Sequence, residues 1–240
     1  MQAVILVAGE GRRMLPLTLE KPKPLIEVAG RPILEHIMDA LPEEVDELIL
    51  VVGYRGDMIK ERYGDSYKGR PITYVHQWMP AGTAHALSVA RPLLKGRFLF
   101  MYGDDIHGAE ALAEIVKHPL GILAATHPEP FKFGVIERNE DGTLKQIVEK
   151  PANPTSNLIN PGGIVLDERI FDYPAPRHET GEYYLTDPIG AFAKDQAIMV
   201  VEQPLWIPVG YPEDIAKAEA LLPIPEDDFP SKGQKDLREP

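Results

Sequence analysis

The sequence predicts an α/β fold with a mixed, mainly parallel sheet that carries helices on both of its faces. Short continuous apolar runs such as 3–7 and 48–52 are typical of strands that are buried on both faces. Between these runs lie segments such as 33–41, whose apolar residues recur at helical spacing. Strands that alternate with helices indicate parallel pairing, because a parallel strand needs a crossover connection to reach its neighbour.

The elements change in character along the chain. The predicted strands of the first half are 3–7, 48–52, 72–75, 98–102 and 121–125, and its helices are 33–41, 57–63, 81–90 and 109–116. After about residue 131, the segments 133–137 and 144–149 flank Asp141 and Gly142, a pair typical of a hairpin turn. Strands at 163–166 and 198–201 and helices at 186–194 and 213–222 follow. The second half is therefore expected to add a mixed or antiparallel portion.

Composition excludes several classes of protein. The chain of 240 residues has no cysteine, which excludes disulfide scaffolds, thiolate zinc sites and cysteine nucleophiles. Its net charge of −12 disfavours binding to nucleic acid or to an anionic membrane. The chain has no apolar run near the roughly 20 residues that a membrane span needs, and its first residues are typical of a strand rather than a signal peptide. We expect a soluble, cytoplasmic protein.

The domain organisation predicted from the sequence is simple. Residues 1–222 are expected to form one domain, since the predicted elements run through them without a linker. From Pro223 the composition shifts to Pro, Asp, Glu, Lys and Gly, and we expect residues 223–240 to be poorly ordered. We also expect no further catalytic domain after residue 222.

The loop after the first strand, residues 8–25, is the most informative segment. Gly9 and Gly11 allow the backbone to approach a ligand and present N–H groups to phosphate oxygens. Residues 1–31 contain five basic and three acidic residues, a local reversal of the charge of the whole chain. Ligands of open α/β sheets bind at the carboxyl ends of the strands, where this loop lies. The segment therefore predicts a polyphosphate pocket.

Two common phosphate motifs are excluded at this loop. A dinucleotide fingerprint needs a third glycine at the position of Met14, which disfavours a nicotinamide oxidoreductase. A P-loop needs Gly-Lys followed by Ser or Thr, which the chain lacks.

The loop resembles the signature of the sugar-1-phosphate nucleotidyltransferases. The resemblance rests on Gly9-x-Gly11-x-Arg13, Pro16-Leu17-Thr18 and Pro22-Lys23-Pro24-Leu25, and it extends from residue 2 to about 222. It implies a Rossmann-like fold of the nucleotide-diphospho-sugar transferase type. It also implies that an NTP and a sugar 1-phosphate give an NDP-sugar and pyrophosphate with Mg²⁺, and that Arg13 and Lys23 are catalytic.

The segment 77–87 is the candidate base-reading segment. The Gln77 amide can pair with both a donor and an acceptor on uracil or thymine, and Gly82 can bring backbone against a base. Thr83 is a candidate helix cap, and His85 is interpreted as structural. The resemblance implies that the glutamine and the glycine read a pyrimidine, which leaves UTP and dTTP open. The predicted nucleotide-binding residues are Ala8, Gly9, Gly11, Gln77, Gly82 and Thr83.

Asp104 is the candidate metal ligand. It follows the strand 98–102 and a glycine, and a carboxylate at that position can hold a divalent metal at phosphates. The resemblance implies Mg²⁺ at Asp104, whereas a helix cap is the alternative interpretation. His107 is interpreted as local packing, since it has no partner at metal-ligand spacing.

One position departs from the family pattern. Many relatives carry an aspartate two residues after the tryptophan as a second metal ligand, whereas this chain has Pro208 after Trp206. Mg²⁺ commonly keeps waters and uses few protein carboxylates, so the departure does not exclude activity. Either Asp104 suffices together with Asp105, waters and phosphates, or a carboxylate such as Asp214 or Asp187 takes the second position.

The acceptor site follows from the resemblance. Lys150 can meet the acceptor phosphate as a point charge, and Glu149 can accept hydrogen bonds from sugar hydroxyls. Thr186 or Asp187 is expected to cap the helix that follows. Glucose 1-phosphate is the first expectation, with N-acetylglucosamine 1-phosphate open. The residues that the resemblance implies for the sugar phosphate are Gly134, Glu149, Lys150, Asn160 and Glu182.

Two other functions stay open at this point. The same chemistry could use phosphocholine, a polyol phosphate or an inositol phosphate as the acceptor. Alternatively, the chain could be a non-catalytic protein that binds nucleotide sugars, an interpretation motivated by Pro208. The expected partners are the small-molecule substrates, and homo-oligomerisation is left open.

Overall fold

The computed structural model describes residues 1–222, so the predicted tail at 223–240 lies outside the described residues. The strands are β1 Gln2–Val7, β2 Glu27–Val28, β3 Arg31–Pro32, β4 Glu47–Val52, β5 Ser66–Tyr67, β6 Arg70–His76, β7 Arg97–Tyr102, β8 Asp105–His107, β9 Gly121–Thr126, β10 Gly134–Arg138, β11 Leu144–Glu149, β12 Leu158–Asn160, β13 Ile164–Asp167, β14 Met199–Glu202 and β15 Trp206–Pro208. The helices are α1 Ile33–Asp39, α2 Gly56–Tyr63, α3 Thr83–Ala90, α4 Ala109–Ile115, α5 Thr186–Phe192 and α6 Pro212–Leu221.

The predicted mixed sheet is confirmed. Its order is β11-β10-β12-β9-β13-β7-β1-β4-β6-β5, and β14 joins it by pairing with β9. The centre is parallel, since β1 lies between β4 and β7 and β4 also pairs with β6. The hairpin of β10 and β11 is antiparallel, as are β12 and β13 with their neighbours. The change from parallel to mixed pairing in the second half is therefore confirmed.

Helices cover both faces of the sheet, as predicted. Alternate residues of β1 point to opposite faces, so that Ile5 enters one apolar core and Val4 the other. Helix α1 contributes Ile37 to the first core, and α3 contributes Leu87 to the second. Within residues 1–222, no helix is both long enough and apolar enough to cross a bilayer.

Glycines fix the edge of the sheet where β1, β4 and β7 end. A Cβ on Gly53, after β4, would lie 2.7 Å from the Ala8 carbonyl oxygen. A Cβ on Gly103, after β7, would lie 2.4 Å from the Leu6 carbonyl oxygen. Real Cβ atoms do not approach so closely, so only glycine lets these turns pack against the end of β1 and the first residue of the loop after it. The carboxyl ends of the three strands are therefore held together at one place.

Two predicted helix caps are wrong. Helix α3 begins after Gly82, and the Thr83 hydroxyl oxygen accepts a hydrogen bond from the distant N–H of Leu185 at 3.0 Å. Helix α5 begins after Leu185 without a side-chain cap, and the Thr186 hydroxyl donates to Glu149 at 3.1 Å. Both threonines connect their helix to another segment, Thr83 to the residue before α5 and Thr186 to the end of β11.

Candidate active site

Two adjoining cavities open at the carboxyl ends of the central strands. The loop cavity, about 400 Å³, lies beside the loop after β1, and the hairpin cavity, about 630 Å³, lies beside the hairpin of β10 and β11. Arg13, Thr83 and Asp104 line both, so the cavities meet there. Every predicted site residue lines one or the other. The loop cavity holds Ala8, Gly9, Gly11, Lys23, Gln77, Gly82 and Glu182, and the hairpin cavity holds Gly134, Glu149, Lys150 and Asn160.

The loop after β1 is anchored by its own residues. Gly11 has a φ of 63°, and a Cβ there would lie 2.9 Å from the Thr18 methyl group. The Thr18 hydroxyl donates to the Gly11 carbonyl oxygen at 3.1 Å. Met14, which stands where a dinucleotide fingerprint has glycine, is fully buried in the core. The buried Met14 side chain therefore anchors the loop in the core, while Arg13 and Lys23 line the loop cavity.

Gly9 is the open point of this loop. A Cβ built there meets no other atom within 4 Å, in contrast to Gly11 and Gly103. Gly9 also lines the loop cavity. The free space above its backbone is where a ligand can approach the main chain closely.

Lys23 and Asp104 form the polar centre of the site. The Lys23 ammonium lies 2.7 Å from the Asp104 carboxylate, and only 7% of Lys23 is exposed. Burial favours the neutral acid, but the charges of Lys23 and Arg13 outweigh it and hold the pKa of Asp104 below its ordinary value. Burial and the neighbouring Asp104 charge raise the pKa of Asp105 well above its ordinary value. Asp104 is therefore the anionic member of this carboxylate pair.

Arg13 rests against the start of α6. Its guanidinium lies 5.1 Å from the centre of the Tyr211 ring, within range of a cation–π contact. The Asp214 carboxylate accepts hydrogen bonds from the N–H groups of Gly210 and Tyr211, at 3.0 and 2.9 Å, and so caps α6. The segment at the start of α6 therefore helps to position Arg13, which belongs to the loop after β1.

The base-reading segment is attached to the segment before α5. The Gly82 backbone has a φ of 93°, and a Cβ there would lie 2.5 Å from the Tyr183 carbonyl oxygen. That oxygen also accepts a hydrogen bond from the Ala84 N–H at 3.0 Å. The Gln77 N–H donates to the Val52 carbonyl oxygen at 2.8 Å, so its backbone continues the β4–β6 pairing. These contacts fix the wall that faces the loop cavity.

The hairpin cavity brings together the residues that the resemblance implied for the acceptor. The Glu149 carboxylate accepts a hydrogen bond from Thr186 and lies 3.3 Å from the Lys150 ammonium. Lys150 adopts a φ of 41°, a conformation that a non-glycine residue adopts only at a cost. Its ammonium lies 4.9 Å above the Tyr184 ring. A strained backbone thus directs this cation into the cavity.

Asn160 and Glu182 occupy different places. Asn160 is 5% exposed, and its side-chain oxygen accepts a hydrogen bond from the Gly162 N–H at 3.0 Å. The Glu182 carboxylate accepts a hydrogen bond from the Tyr184 hydroxyl at 2.8 Å. Glu182 lines the loop cavity and its partner Tyr184 the hairpin cavity, and the contact of Glu182 with the sugar stays a prediction.

The carboxylates at the junction fit Mg²⁺, although they are few. Within residues 1–222, no three His, Asp or Glu side chains converge as a metal cluster. Mg²⁺ is commonly held by one or two carboxylates together with substrate phosphates. Asp104 and Asp105 both border the hairpin cavity, and the Asp104 side chain is 39% exposed. Pro208 pairs with Asp105 across the β8–β15 ribbon, so it borders the carboxylates that would hold the ion.

The two alternative carboxylates already have partners. Asp187 lies 2.7 Å from His178, and Asp214 caps α6 while it borders the hairpin cavity. His107 is buried and lies 3.1 Å from the Gln203 side-chain oxygen, which confirms its interpretation as local packing.

Sequence reasoning missed two aromatic residues of the site. Tyr211 contacts Arg13, and Tyr184 contacts both Lys150 and Glu182. Tyr211 stands 198 residues after Arg13, and a cation–π contact leaves no spacing pattern that a sequence could show. Tyr184 lies two residues after the predicted site residue Glu182, but nothing in the sequence indicates which cation its ring meets.

Comparison with known proteins supports one family. The sequence profile of the Nucleotidyl transferase family matches residues 2–223. A UTP–glucose-1-phosphate uridylyltransferase of Haloferax volcanii is 36% identical, over 92% of this chain and 96% of its own. The bifunctional protein GlmU of Methanocaldococcus jannaschii is 35% identical over 92% of this chain, which spans about half, 54%, of that longer relative.

A solved structure has the same fold. The putative glucose-1-phosphate thymidylyltransferase of Bacillus anthracis superimposes with a TM-score of 0.82 at 23% identity, over 95% of this chain and 97% of its own. The sheet, the two cavities and the matched sequences are consistent with one another. This protein belongs to the Nucleotidyl transferase family.

Proposed function

We propose that this protein condenses UTP or dTTP with a sugar 1-phosphate, glucose 1-phosphate first, to give an NDP-sugar and pyrophosphate. The observation that carries the proposal is the junction of the two cavities, where Lys23, Asp104 and Arg13 lie together. A nucleotide in the loop cavity and an acceptor in the hairpin cavity would present their phosphates to each other there. The uridylyltransferase of Haloferax volcanii, similar along nearly its whole length, supports the same choice of substrates.

The reaction needs alignment and charge neutralisation rather than a base. An oxygen of the sugar phosphate, already an anion, forms a bond to the α-phosphorus of the NTP. The bond from that phosphorus to the bridging oxygen breaks, and pyrophosphate leaves with the electron pair. Arg13 neutralises the leaving pyrophosphate, Lys23 the α-phosphate and Lys150 the acceptor phosphate.

The carboxylates suit a divalent cation in this reaction. Asp104, with Asp105 beside it, would hold Mg²⁺, which supplies positive charge and binds phosphate oxygens when present. The Lys23 ammonium contacts one oxygen of the Asp104 carboxylate, at 2.7 Å, and so fixes the orientation of that carboxylate. We expect the enzyme to act in the cytoplasm on these small molecules alone.

A substrate matrix tests the proposal. UTP, dTTP, CTP, GTP and ATP are each combined with glucose, N-acetylglucosamine and mannose 1-phosphates and with phosphocholine, and phosphate is detected after pyrophosphatase. We expect release of pyrophosphate with UTP or dTTP and a sugar 1-phosphate, and its loss when EDTA removes Mg²⁺. If phosphocholine were the only acceptor that supports turnover, it would take the place of the sugar 1-phosphate in the proposal. Absence of pyrophosphate with every pair would support a non-catalytic binding protein instead.

A further inference from the structure

We infer that His85 is a positioning residue, which holds the Gln77 amide in one orientation and so selects bases that carry a ring N–H. The inference rests on the proposed function, because it takes Gln77 to face the base. It goes beyond that function in naming a residue that, together with the Gly82 carbonyl, holds the amide in this orientation. Three atoms determine the orientation and the free end of the Gln77 amide: the Gly82 carbonyl oxygen, His85 Nδ1 and Gln77 Oε1.

The first atom is the Gly82 carbonyl oxygen. It lies 3.3 Å from Gln77 Nε2. A backbone carbonyl can only accept hydrogen bonds, so the NH₂ end of the amide must face it. The flipped amide would bring two oxygens together at this point.

The second atom is His85 Nδ1. It lies 3.0 Å from Gln77 Nε2. Because Gln77 donates here, Nδ1 must carry no proton, and the neutral ring has its hydrogen on Nε2. Both hydrogens of the amide are thereby engaged, one by Gly82 and one by His85. The interpretation of His85 as merely structural is thus incomplete.

The third atom is Gln77 Oε1. Among residues 1–222 this oxygen has no hydrogen-bond partner. It is not one of the fully buried polar atoms without a partner, so it is accessible to a ligand. Gln77 is 8% exposed and lines the loop cavity. The part of the Gln77 amide that is free to bind a ligand in the loop cavity is therefore its oxygen, a hydrogen-bond acceptor.

An acceptor distinguishes bases by chemistry. Uracil and thymine have a donor at N3, whereas the corresponding ring nitrogen of cytosine is an acceptor. Two acceptors that face each other leave both groups unpaired, and sites that lose a hydrogen bond in this way discriminate strongly. The His85 contact therefore favours UTP and dTTP over CTP.

The experiment compares equilibrium binding of UTP and CTP, with Mg²⁺ and without acceptor, by calorimetry. The variants are His85→Leu and His85→Phe, of which the second keeps a planar ring but lacks the acceptor nitrogen. We expect the wild-type protein to prefer UTP, and both variants to lose about tenfold of that preference, the effect of one hydrogen bond. Ser88→Ala, one turn further along α3, is the matched control and should keep the wild-type preference.

A double-mutant cycle separates positioning from general damage. In a Gln77→Ala background, His85→Leu should not change the UTP-to-CTP ratio any further, because the amide that it orients is gone. An equal drop in that background, or an unchanged ratio in both His85 variants, would overturn the inference, as would equal binding of UTP and CTP by the wild type. A wild type that prefers UTP but forms no pyrophosphate would instead refute the proposed function alone.

Discussion

Lys23 is a charged side chain that the fold keeps almost wholly buried. It comes from the loop after β1, whereas its partner Asp104 follows β7, so the ion pair exists only in the folded sheet. The Asp104 side chain is 39% exposed, so the pair is only partly buried, and removing Asp104 would leave the buried Lys23 charge without compensation. Lys21, two residues earlier, makes an exposed ion pair with Glu27 and borders neither cavity. The loop thus provides both a test position and a control.

Replacing the buried lysine should stop turnover. We expect Lys23→Ala to lower kcat by about 100-fold or more, the effect of deleting one charge-stabilising group. Arg13→Ala, on the exposed surface of the loop, should lower kcat similarly without lowering the Tm. Lys21→Ala should behave as wild type. Pyrophosphate release and thermal denaturation measure both effects, and wild-type turnover by Arg13→Ala would remove that residue from the proposed mechanism.

Two glycines of the site should respond to alanine in opposite ways. In Gly9→Ala the new methyl group meets no protein atom, so the Tm should stay constant while nucleotide affinity falls about tenfold through contact with the ligand. In Gly103→Ala the methyl group would meet the Leu6 carbonyl oxygen, which should destabilise the fold by about 2 kcal/mol or more. Denaturant unfolding and calorimetry separate the two, and unchanged affinity in Gly9→Ala would place the nucleotide elsewhere.

At the scale of elements, the start of α6 lies against Arg13, to which we assign the neutralisation of pyrophosphate. Asp214 caps its first turn, and Tyr211, just before the helix, carries the ring against which Arg13 rests. The helix therefore determines where the guanidinium lies before substrates arrive.

Removing the Tyr211 ring should loosen Arg13. We expect Tyr211→Leu to lower kcat about two- to fivefold, which corresponds to a partly exposed cation–π contact of 0.5–1 kcal/mol. Tyr211→Phe keeps the ring and should retain wild-type kcat, and neither variant should change the Tm by more than about 2 °C. Steady-state kinetics and a thermal scan measure these effects. A loss of kcat in Tyr211→Phe equal to that in Tyr211→Leu would assign the effect to the hydroxyl instead.

A comparison of predicted and observed elements shows which of them the local sequence pattern can predict. Strand β1 was predicted because burial on both faces of a sheet makes its residues continuously apolar, and helix α1 because burial on one face gives its apolar residues a helical spacing. The ribbon of β8 and β15 was not, because three-residue strands some hundred residues apart carry no periodicity. The capping roles of Thr83 and Thr186 were wrong for a related reason, since the partners that displaced them come from distant segments.

At the scale of the whole molecule, a strongly acidic protein brings the three cations of the predicted site to two joined cavities. The chain has a net charge of −12, yet Arg13, Lys23 and Lys150 all border the two joined cavities. The place of Arg13 and Lys23 could be predicted, because their loop follows a parallel strand and ligands bind at the carboxyl ends of such strands. The place of Lys150, after a strand of the antiparallel hairpin, was implied only by the family resemblance. Which of the two cavities each residue borders could not be predicted. Glu182 is an example, because its position depends on how the segment before α5 packs against α3.

Binding of the nucleotide should stabilise the entire fold. A ligand at 100 times its Kd adds about 2.7 kcal/mol to the free energy of unfolding. For a domain of this size, we expect UTP with Mg²⁺ to raise the Tm by roughly 5–10 °C. Arg13→Ala should show a smaller rise at the same UTP concentration, and Lys21→Ala the wild-type rise. Scanning calorimetry measures the shift, and no rise in the wild type would contradict binding at this site.

The contacts of Gly53 and Gly103 with the end of β1 and the residue after it have one more consequence. The Tyr54 N–H donates to the Ala8 carbonyl oxygen at 3.1 Å, and the Gly103 N–H donates to the Leu6 carbonyl oxygen at 2.9 Å, so main-chain hydrogen bonds join the turns after β4 and β7 to residues 6–8. The aspartate turn and the glycine-rich bend cannot drift apart independently. The separation between these segments of the candidate site is therefore fixed by the main chain itself and does not depend on side-chain contacts.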